Sequence, residues 1–74
     1  MTTPVSIESQ QRIGKKLKKI REEKNLSQED VAKAAGIATG YYARVERGKH
    51  SPSSSVLERI CKVLKIKSSD ILPF

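Results

Sequence analysis

The chain has 74 residues, of which 15 are Lys or Arg and eight are Asp or Glu, so its formal net charge is +7. A chain of this length buries one small core and leaves little room for an active-site pocket, which argues against an enzyme. The positive charge favours nucleic acid as a partner, although an anionic membrane or an acidic protein would also attract it. The sequence pattern has to decide among these partners.

Few residues of this chain could form a disulfide, bind a metal or act in catalysis. Cys61 is the single cysteine, so one chain can form neither an internal disulfide nor a CxxC metal site. His50 has no Cys, His or acidic companion at ligand spacing, so we expect no metal, no cofactor and no catalytic site. The chain shows no signal-peptide pattern and no apolar stretch of membrane-spanning length, which predicts a cytoplasmic protein, nucleoid-associated if its partner is DNA.

From Ser6 to Lys24, apolar residues recur at helical spacing between charged ones, which predicts an amphipathic first helix. The apolar positions are Ile13, Leu17 and Ile20. Gly14 lies beside this stripe and lowers helix propensity, a cost that is tolerable where a neighbouring helix approaches closely. Residues 1–6 are expected to form a flexible N-terminal arm ahead of this helix.

Two short helices are predicted next. Asn25 is expected to end the first helix in the left-handed conformation, and Ser27 offers an N-cap oxygen with Asp30 three residues later. The second helix ends at Gly36, which can adopt the positive φ of a sharp turn. A third helix follows and is expected to end at Gly48. Two helices joined by so short a turn form a helix-turn-helix.

The remaining sequence predicts two more helices. Ser53 caps a fourth one, and Ser68 caps a short fifth one with Asp70 in its first turn. The apolar stripe of the fourth helix consists of Leu57, Ile60, Cys61 and Leu64. We therefore expect Cys61 to be a buried structural residue rather than a redox sensor. The predicted fold is all-α, with five helices in a single domain over residues 1–74 and the helix-turn-helix in helices 2 and 3.

Three segments occur in a characteristic order and spacing: Leu-Ser-Gln-Glu-Asp-Val-Ala at 26–32, Ala-Gly-Ile at 35–37 and Tyr-Ala-Arg-Val-Glu-Arg-Gly at 42–48. With the Pro-Ser pair at 52–53, they resemble the Cro/C1-type helix-turn-helix family of phage repressors, restriction-modification controller proteins and bacterial regulators. The resemblance covers about residues 12–72. It implies a lambda-repressor-like fold and a transcriptional regulator that binds double-stranded DNA sequence-specifically at a promoter or operator.

In this family the first residues of the third helix enter the major groove, while the start of the second helix rests on the DNA backbone. The resemblance thus places base readout at Thr39, Gly40 and Arg44, and a backbone contact at Gln28. Arg44 is the leading candidate, because a guanidinium can donate two hydrogen bonds to guanine. The alternative for Arg44 is a solvated charge on the helix surface.

Accessory contacts to the DNA backbone are expected from Tyr41 and around the loop after the third helix. In that loop region the candidates are Arg47, Lys49, Ser51 and Ser53. Two positions depart from the family pattern, since Ala38 replaces a common Ser or Thr N-cap and Gly40 lacks a side chain. Direct readout would then rest chiefly on Arg44 and Thr39, with a contribution from DNA shape.

Two further expectations concern assembly and stability. The resemblance implies a pair between Arg21 and Glu46 that bridges the first and third helices. Ile71, Leu72 and Phe74 are expected to form a self-association surface with exposed parts of the fourth helix, because three large apolar residues cluster at the terminus. The alternative is that one or two of them cover the core. A dimer would bind a palindromic operator.

The sequence is also compatible with other classes of protein. A helix-turn-helix fold also suits a protein-interaction module such as an antitoxin, or the DNA-binding half of a longer sensor, and a large exposed apolar patch would favour such a module. The basic first helix would also suit a membrane surface. Its lysines are Lys15, Lys16, Lys18 and Lys19. We favour a solvated face for them, because so small a domain needs the apolar stripe of this helix inside.

Overall fold

The computed structural model describes residues 7–71, and the predicted N-terminal arm lies outside the described residues. The described part contains four α-helices and one 3-10 turn. They are α1 (Ile7–Glu23), α2 (Gln28–Ala35), α3 (Thr39–Glu46), α4 (Ser54–Leu64) and the 3-10 turn at Ser68–Asp70. Residues 7–71 contain no strand. The all-helical class is confirmed.

The predicted fifth α-helix is wrong, because residues 68–70 form only one 3-10 turn. Its cap also differs from the prediction. The N-cap residue is Lys67, whose backbone N–H donates to the Asp70 carboxylate at 2.9 Å. Ser68 is therefore the first residue of the turn rather than its cap. A turn of three residues satisfies few backbone groups, which is typical of a short connector.

The ends of α2 follow from local hydrogen bonds. The Ser27 hydroxyl accepts from the Asp30 backbone N–H at 2.9 Å, and the Asp30 carboxylate accepts from the Ser27 N–H at 2.8 Å. This reciprocal capping box begins the helix, as the sequence predicts. Gly36 ends it at φ 72°, and Asn25 precedes it at φ 57°. The two left-handed residues thus set the angles at which the chain enters and leaves α2.

The core lies where α1 packs on α3 and where α2 packs on both α3 and α4. Its buried apolar residues are Ile13, Leu17, Val31, Ala32, Ala35, Tyr42, Val45, Leu57, Ile60, Cys61, Leu64 and Ile71. The four lysines between residues 15 and 19 are exposed. Because the apolar stripe of α1 is used in the core, this helix has little apolar surface left for a membrane. Within residues 7–71, no helix is long and apolar enough to cross a membrane.

Ile71 requires a correction to the predicted self-association surface. Its exposed fraction is 0%, because it packs in the core that α4 and the 3-10 turn close. Its side chain is therefore not available to a second copy of the chain. Ile71 instead covers the core, which was the alternative to self-association. Leu72 and Phe74 lie outside the described residues.

Gly14 brings α1 against the end of α3. A Cβ built on Gly14 would lie 2.5 Å from the Val45 carbonyl oxygen and 2.8 Å from the Glu46 carbonyl carbon. Both contacts are with backbone atoms, which cannot move aside as a flexible side chain can. The close approach of the two helices therefore requires a glycine at residue 14. This is the condition under which we expect the lower helix propensity of glycine to be tolerated.

We expect Gly14→Ala to lower the free energy of unfolding by about 1 to 3 kcal/mol, the usual cost of overpacking a close contact. Urea denaturation followed by circular dichroism measures this loss. The matched control is Lys15→Ala, which changes an exposed neighbour on the same helix and should have little effect. A Gly14→Ala variant as stable as the wild type would contradict the close approach.

Candidate nucleic-acid interface

Helix α3 has one face in the core and one in solvent. Tyr42 and Val45 point inward, with exposed fractions of 0% and 1%. The outer face of α3 consists of Thr39, Gly40, Arg44 and Arg47, all of which are exposed. The three residues expected to read bases therefore share one accessible surface. Thr39 and Gly40 are adjacent, and Arg44 lies about one turn after Gly40.

The start of α3 lacks a side-chain cap. Ala38 occupies the N-cap position in extended conformation, and no side-chain hydrogen bond forms there. The far end differs from the prediction, because the helix ends at Glu46 and Arg47 is its C-cap residue. Gly48 then turns the chain at φ 73°.

The loop after α3 is held against α1. A Cβ built on Gly48 would lie 2.7 Å from Cγ of Gln11 and 2.8 Å from its Cα. The Lys49 backbone N–H donates to the Arg44 carbonyl at 2.9 Å, which closes the turn. The backbone of Lys49 is therefore fixed relative to α3, and its side chain is exposed. The packing of Gly48 sets where the basic residues beyond α3 lie.

A buried ion pair joins α1 to α3. Nε of Arg21 donates to Oε2 of Glu46 at 2.6 Å, and Nη2 donates to Oε1 at 3.1 Å. The exposed fractions of the two side chains are 10% and 1%. Arg21 also donates through Nη1 to the Leu26 carbonyl at 2.7 Å. The pair implied by the resemblance thus forms, and it also holds the loop between α1 and α2.

Gln28 extends this network to α2. Its Nε2 donates to Oε1 of Glu46 at 2.9 Å, and the side chain is half-buried. The sequence predicts a DNA phosphate as the partner of Gln28 and gives no sign of this bond, since the two residues are 18 positions apart. The bond leaves one amide hydrogen, the amide oxygen and the backbone N–H of Gln28 for other partners.

The network shifts the pKa of Glu46. Burial alone would raise the pKa of this carboxyl, but hydrogen bonds from its neighbours, that of Arg21 foremost, outweigh burial and hold the pKa below its ordinary value of 4.5. For Arg21, the hydrogen bond to Glu46 raises the pKa above its ordinary value. Both groups are therefore charged at neutral pH, and the pair is a true ion pair.

Burial of Glu46 decides the charge of the surface around α3. Between residues 39 and 53 it is the single acidic residue. Its charge is buried and paired, whereas Arg44, Arg47 and Lys49 are exposed. This stretch therefore presents three cations and no carboxylate to solvent. Such a surface attracts a polyanion.

Tyr41 and His50 make an aromatic contact beside the outer face of α3. Their ring centroids lie 4.8 Å apart with an interplanar angle of 65°, an edge-to-face arrangement. Tyr41 is half-buried and His50 is exposed. The sequence predicts Tyr41 as an accessory contact but gives no sign of this neighbour, because the pairing depends on how the loop turns.

The two serines of the loop differ in their roles. Ser53 is the N-cap of α4, and its hydroxyl accepts from the Val56 N–H at 3.2 Å. Ser51 is half-buried and Ser53 is exposed. Both lie in the chain segment that continues from Lys49. Among residues 7–71, no group of three His, Cys, Asp or Glu side chains is arranged to hold a metal ion.

Comparison with known proteins identifies the family. Residues 17–71 match the family model described as helix-turn-helix. The match spans more than half of the sequence, and the chain belongs to the helix-turn-helix family. The resemblance drawn from the sequence motifs is thereby confirmed.

Two relatives illustrate the family. Control protein C.MunI of a Mycoplasma species is 43% identical over 61 residues, which are 81% of this chain and 82% of that protein. The immunity repressor protein of Bacillus phage phi105 is 37% identical over 60 residues, which are 81% of this chain and 42% of the repressor. The chain therefore spans less than half the length of the phage repressor.

A solved structure shows the same fold. The crystal structure of the restriction-modification controller protein C.AhdI from Aeromonas hydrophila superposes with a TM-score of 0.82 at 28% sequence identity. The superposition covers 85% of this chain and 96% of that chain. The fold match therefore extends over nearly the whole controller protein.

We expect Glu46→Ala to lower the free energy of unfolding at pH 7 by about 3 kcal/mol, because Arg21 would be left buried without its partner. Urea denaturation measures the loss. The matched control is Glu29→Ala, whose pair with Lys33 spans 3.6 Å between side chains that are 65% and 77% exposed. That variant should lose less than about 1 kcal/mol.

The same pair predicts the direction of a pH effect. Because the pKa of Glu46 is lower in the folded chain than its ordinary value of 4.5, the pair stabilises the fold above that pH. This contribution is lost as the pH falls through the lower, folded-state pKa. The stability difference between wild type and Glu46→Ala should therefore narrow in acid. A difference that stays constant from pH 7 to pH 2 would contradict the ion pair.

Proposed function

We propose that this chain is a transcriptional regulator that binds double-stranded DNA through the outer face of α3, as a homodimer on a palindromic operator in the cytoplasm. The observation that carries the proposal is the exposed, cationic surface between residues 39 and 53, from which the single carboxylate has been removed by burial. Family membership supports it, since control and repressor proteins are among the relatives. The work of the chain is binding, with no catalytic step.

Within this surface, we assign base readout to Arg44 and Thr39. Both are exposed on α3, whose first turns enter the major groove in this family. The Arg44 guanidinium can donate two hydrogen bonds to O6 and N7 of guanine. The Thr39 hydroxyl can donate to or accept from a base edge, and its methyl can contact thymine.

Contacts with the DNA backbone are assigned to the residues around the readers. Arg47 and Lys49 are exposed cations at and beyond the end of α3, where they can neutralise phosphates. Tyr41, Ser51 and Ser53 are placed as accessory contacts to sugar and phosphate. Gln28 is placed on a phosphate through its backbone N–H at the first residue of α2, a group that the side-chain bond to Glu46 leaves available.

The proposed dimer uses Leu72 and Phe74 together with apolar surface on α4. Val56 and Val63 lie seven residues apart on one edge of α4 and are half-buried, so part of each side chain remains accessible. To bind successive half-sites, a two-fold dimer has to hold its two copies of α3 about 34 Å apart, one turn of DNA.

Arg44→Ala should weaken operator binding by about 1 to 3 kcal/mol per half-site and change binding to scrambled duplexes little, because the lost bonds are to bases. Lys49→Ala should weaken both duplexes alike and reduce the salt slope by about one counterion per half-site. Fluorescence anisotropy titrations across a salt series measure both quantities, with the operator first selected from a random duplex pool.

The two variants serve as controls for each other, since each removes one exposed cation from the same region. Equal losses on operator and scrambled DNA for Arg44→Ala would make Arg44 a phosphate contact. In that event the operator would be read by Thr39, Tyr41 and duplex shape.

The dimer is tested by sedimentation equilibrium over a wide range of protein concentration. We expect a monomer–dimer equilibrium that the double change Leu72→Ser/Phe74→Ser shifts to monomer, since large apolar side chains drive such association. Lys65→Ser, at an exposed C-cap residue of α4, is the control and should leave it unchanged. A wild-type chain that stays monomeric and binds the two half-sites independently would contradict the dimer.

A further inference from the structure

Three of the four glycines of this chain are explained by contacts or backbone angles inside the domain. Gly14 lets α1 approach the carbonyls at the end of α3. Gly36 and Gly48 have φ angles of 72° and 73°, which strongly favour glycine. Gly40 has no such reason among the described residues, because it is helical and exposed, and beyond its two chain neighbours and its own helix backbone no heavy atom of residues 7–71 lies within 4 Å of a built Cβ.

A glycine at such a position weakens the fold. Glycine loses more conformational freedom on entering a helix than any other residue, and alanine is the best helix former. The helix also starts without a side-chain cap, so its first turn has little local support. Among residues 7–71 nothing accounts for the absence of a side chain at residue 40, so we look for its reason in the surface that α3 presents to a ligand.

We infer that Gly40 is a specificity-determining residue whose missing side chain lets the backbone of α3 approach the base edges, an inference that rests on the proposed DNA-binding function. Gly40 lies one residue after Thr39 and one helical turn before Arg44. Side chains on a helix lean toward its N-terminus, so Arg44 projects along the side of α3 on which Gly40 lies, and in the free chain none of its side-chain atoms comes within 4 Å of a Cβ built on residue 40. A side chain at residue 40 would occupy the space through which Arg44 reaches a base.

The ligand is therefore the major-groove edge of a base pair in close contact with helix backbone. Because residue 40 has no side chain, its size excludes no base. The missing side chain instead determines how deeply α3 can enter the major groove. Every added carbon at residue 40 would hold the helix farther from the groove floor and lengthen the bonds made by Arg44 and Thr39. The effect on binding should grow with side-chain size, whereas helix stability should rise or stay constant.

The experiment compares Gly40→Ala and Gly40→Leu with the wild type in thermal unfolding and in binding to the duplex that the wild type selects from a random pool. We expect Gly40→Ala to raise the midpoint of unfolding by about 2 to 8 °C. We expect it to weaken operator binding at least about tenfold, with a larger loss for Gly40→Leu and a smaller loss on scrambled DNA. The matched control is Ala34→Gly, the reverse change at an exposed residue of α2. It should lower the midpoint and leave operator binding unchanged, measured at a temperature where it is folded.

The outcomes separate this inference from the proposed function. If the wild type selects no duplex, the proposed function fails. If the wild type selects an operator and Gly40→Ala binds it as tightly, the inference about Gly40 is overturned while the function stands. A lower unfolding midpoint for Gly40→Ala would also overturn it, because the glycine would then serve the fold. A changed consensus selected by Gly40→Ala, centred on the base pairs facing Arg44, would support it.

Discussion

The position of α3 depends on the buried carboxylate of Glu46. This group accepts hydrogen bonds from Arg21 on α1 and from Gln28 at the start of α2, at distances of 2.6 to 3.1 Å. Arg21 uses its remaining Nη1 donor on the Leu26 carbonyl in the loop between those helices. A carboxylate that is 1% exposed tolerates no loss of these partners, because an unpaired charge in the interior is costly. The network therefore fixes three helices and one loop relative to each other.

The same carboxylate also determines what the surface of α3 can bind. An exposed acid at residue 46 would repel phosphate beside Arg44 and Arg47, but burial and pairing with Arg21 remove its field from that surface. Gln28 links this arrangement to the start of α2. The first residue of α2 is thus bonded to the group that anchors α3, so the start of α2 is held in a fixed position relative to α3. This is a physical reason why helix-turn-helix domains can be small and still orient a recognition helix.

Much of the fold could be predicted because its signals are local. The capping box of Ser27 and Asp30 and the left-handed glycine at residue 36 each involve residues a few positions apart. Lys65 ends α4 at φ 58°, yet a lysine gives no sign of left-handed backbone, so this end could not be predicted. The 3-10 turn was predicted as an α-helix because Ser68 and Asp70 fit the start of either one.

The arrangement of the candidate site on α3 was also predictable in part, again because some of its signals are local. The spacing of Thr39, Gly40 and Arg44 on one helix face places them together without further knowledge of the fold. The bond between Gln28 and Glu46 and the contact between Tyr41 and His50 depend instead on how helices and loops pack. The burial of Ile71 could not be predicted either, because an apolar residue near a terminus is compatible with both a core and an interface.

The central claim is that the surface formed by α3 and the loop after it binds DNA. A heteronuclear NMR titration of the chain with its selected duplex tests this claim most directly, since each backbone amide reports its own surroundings. The account predicts that the largest chemical-shift changes fall between Thr39 and Ser53 and at the start of α2. Changes confined to the exposed lysines of α1, with the amides of α3 unmoved, would contradict it.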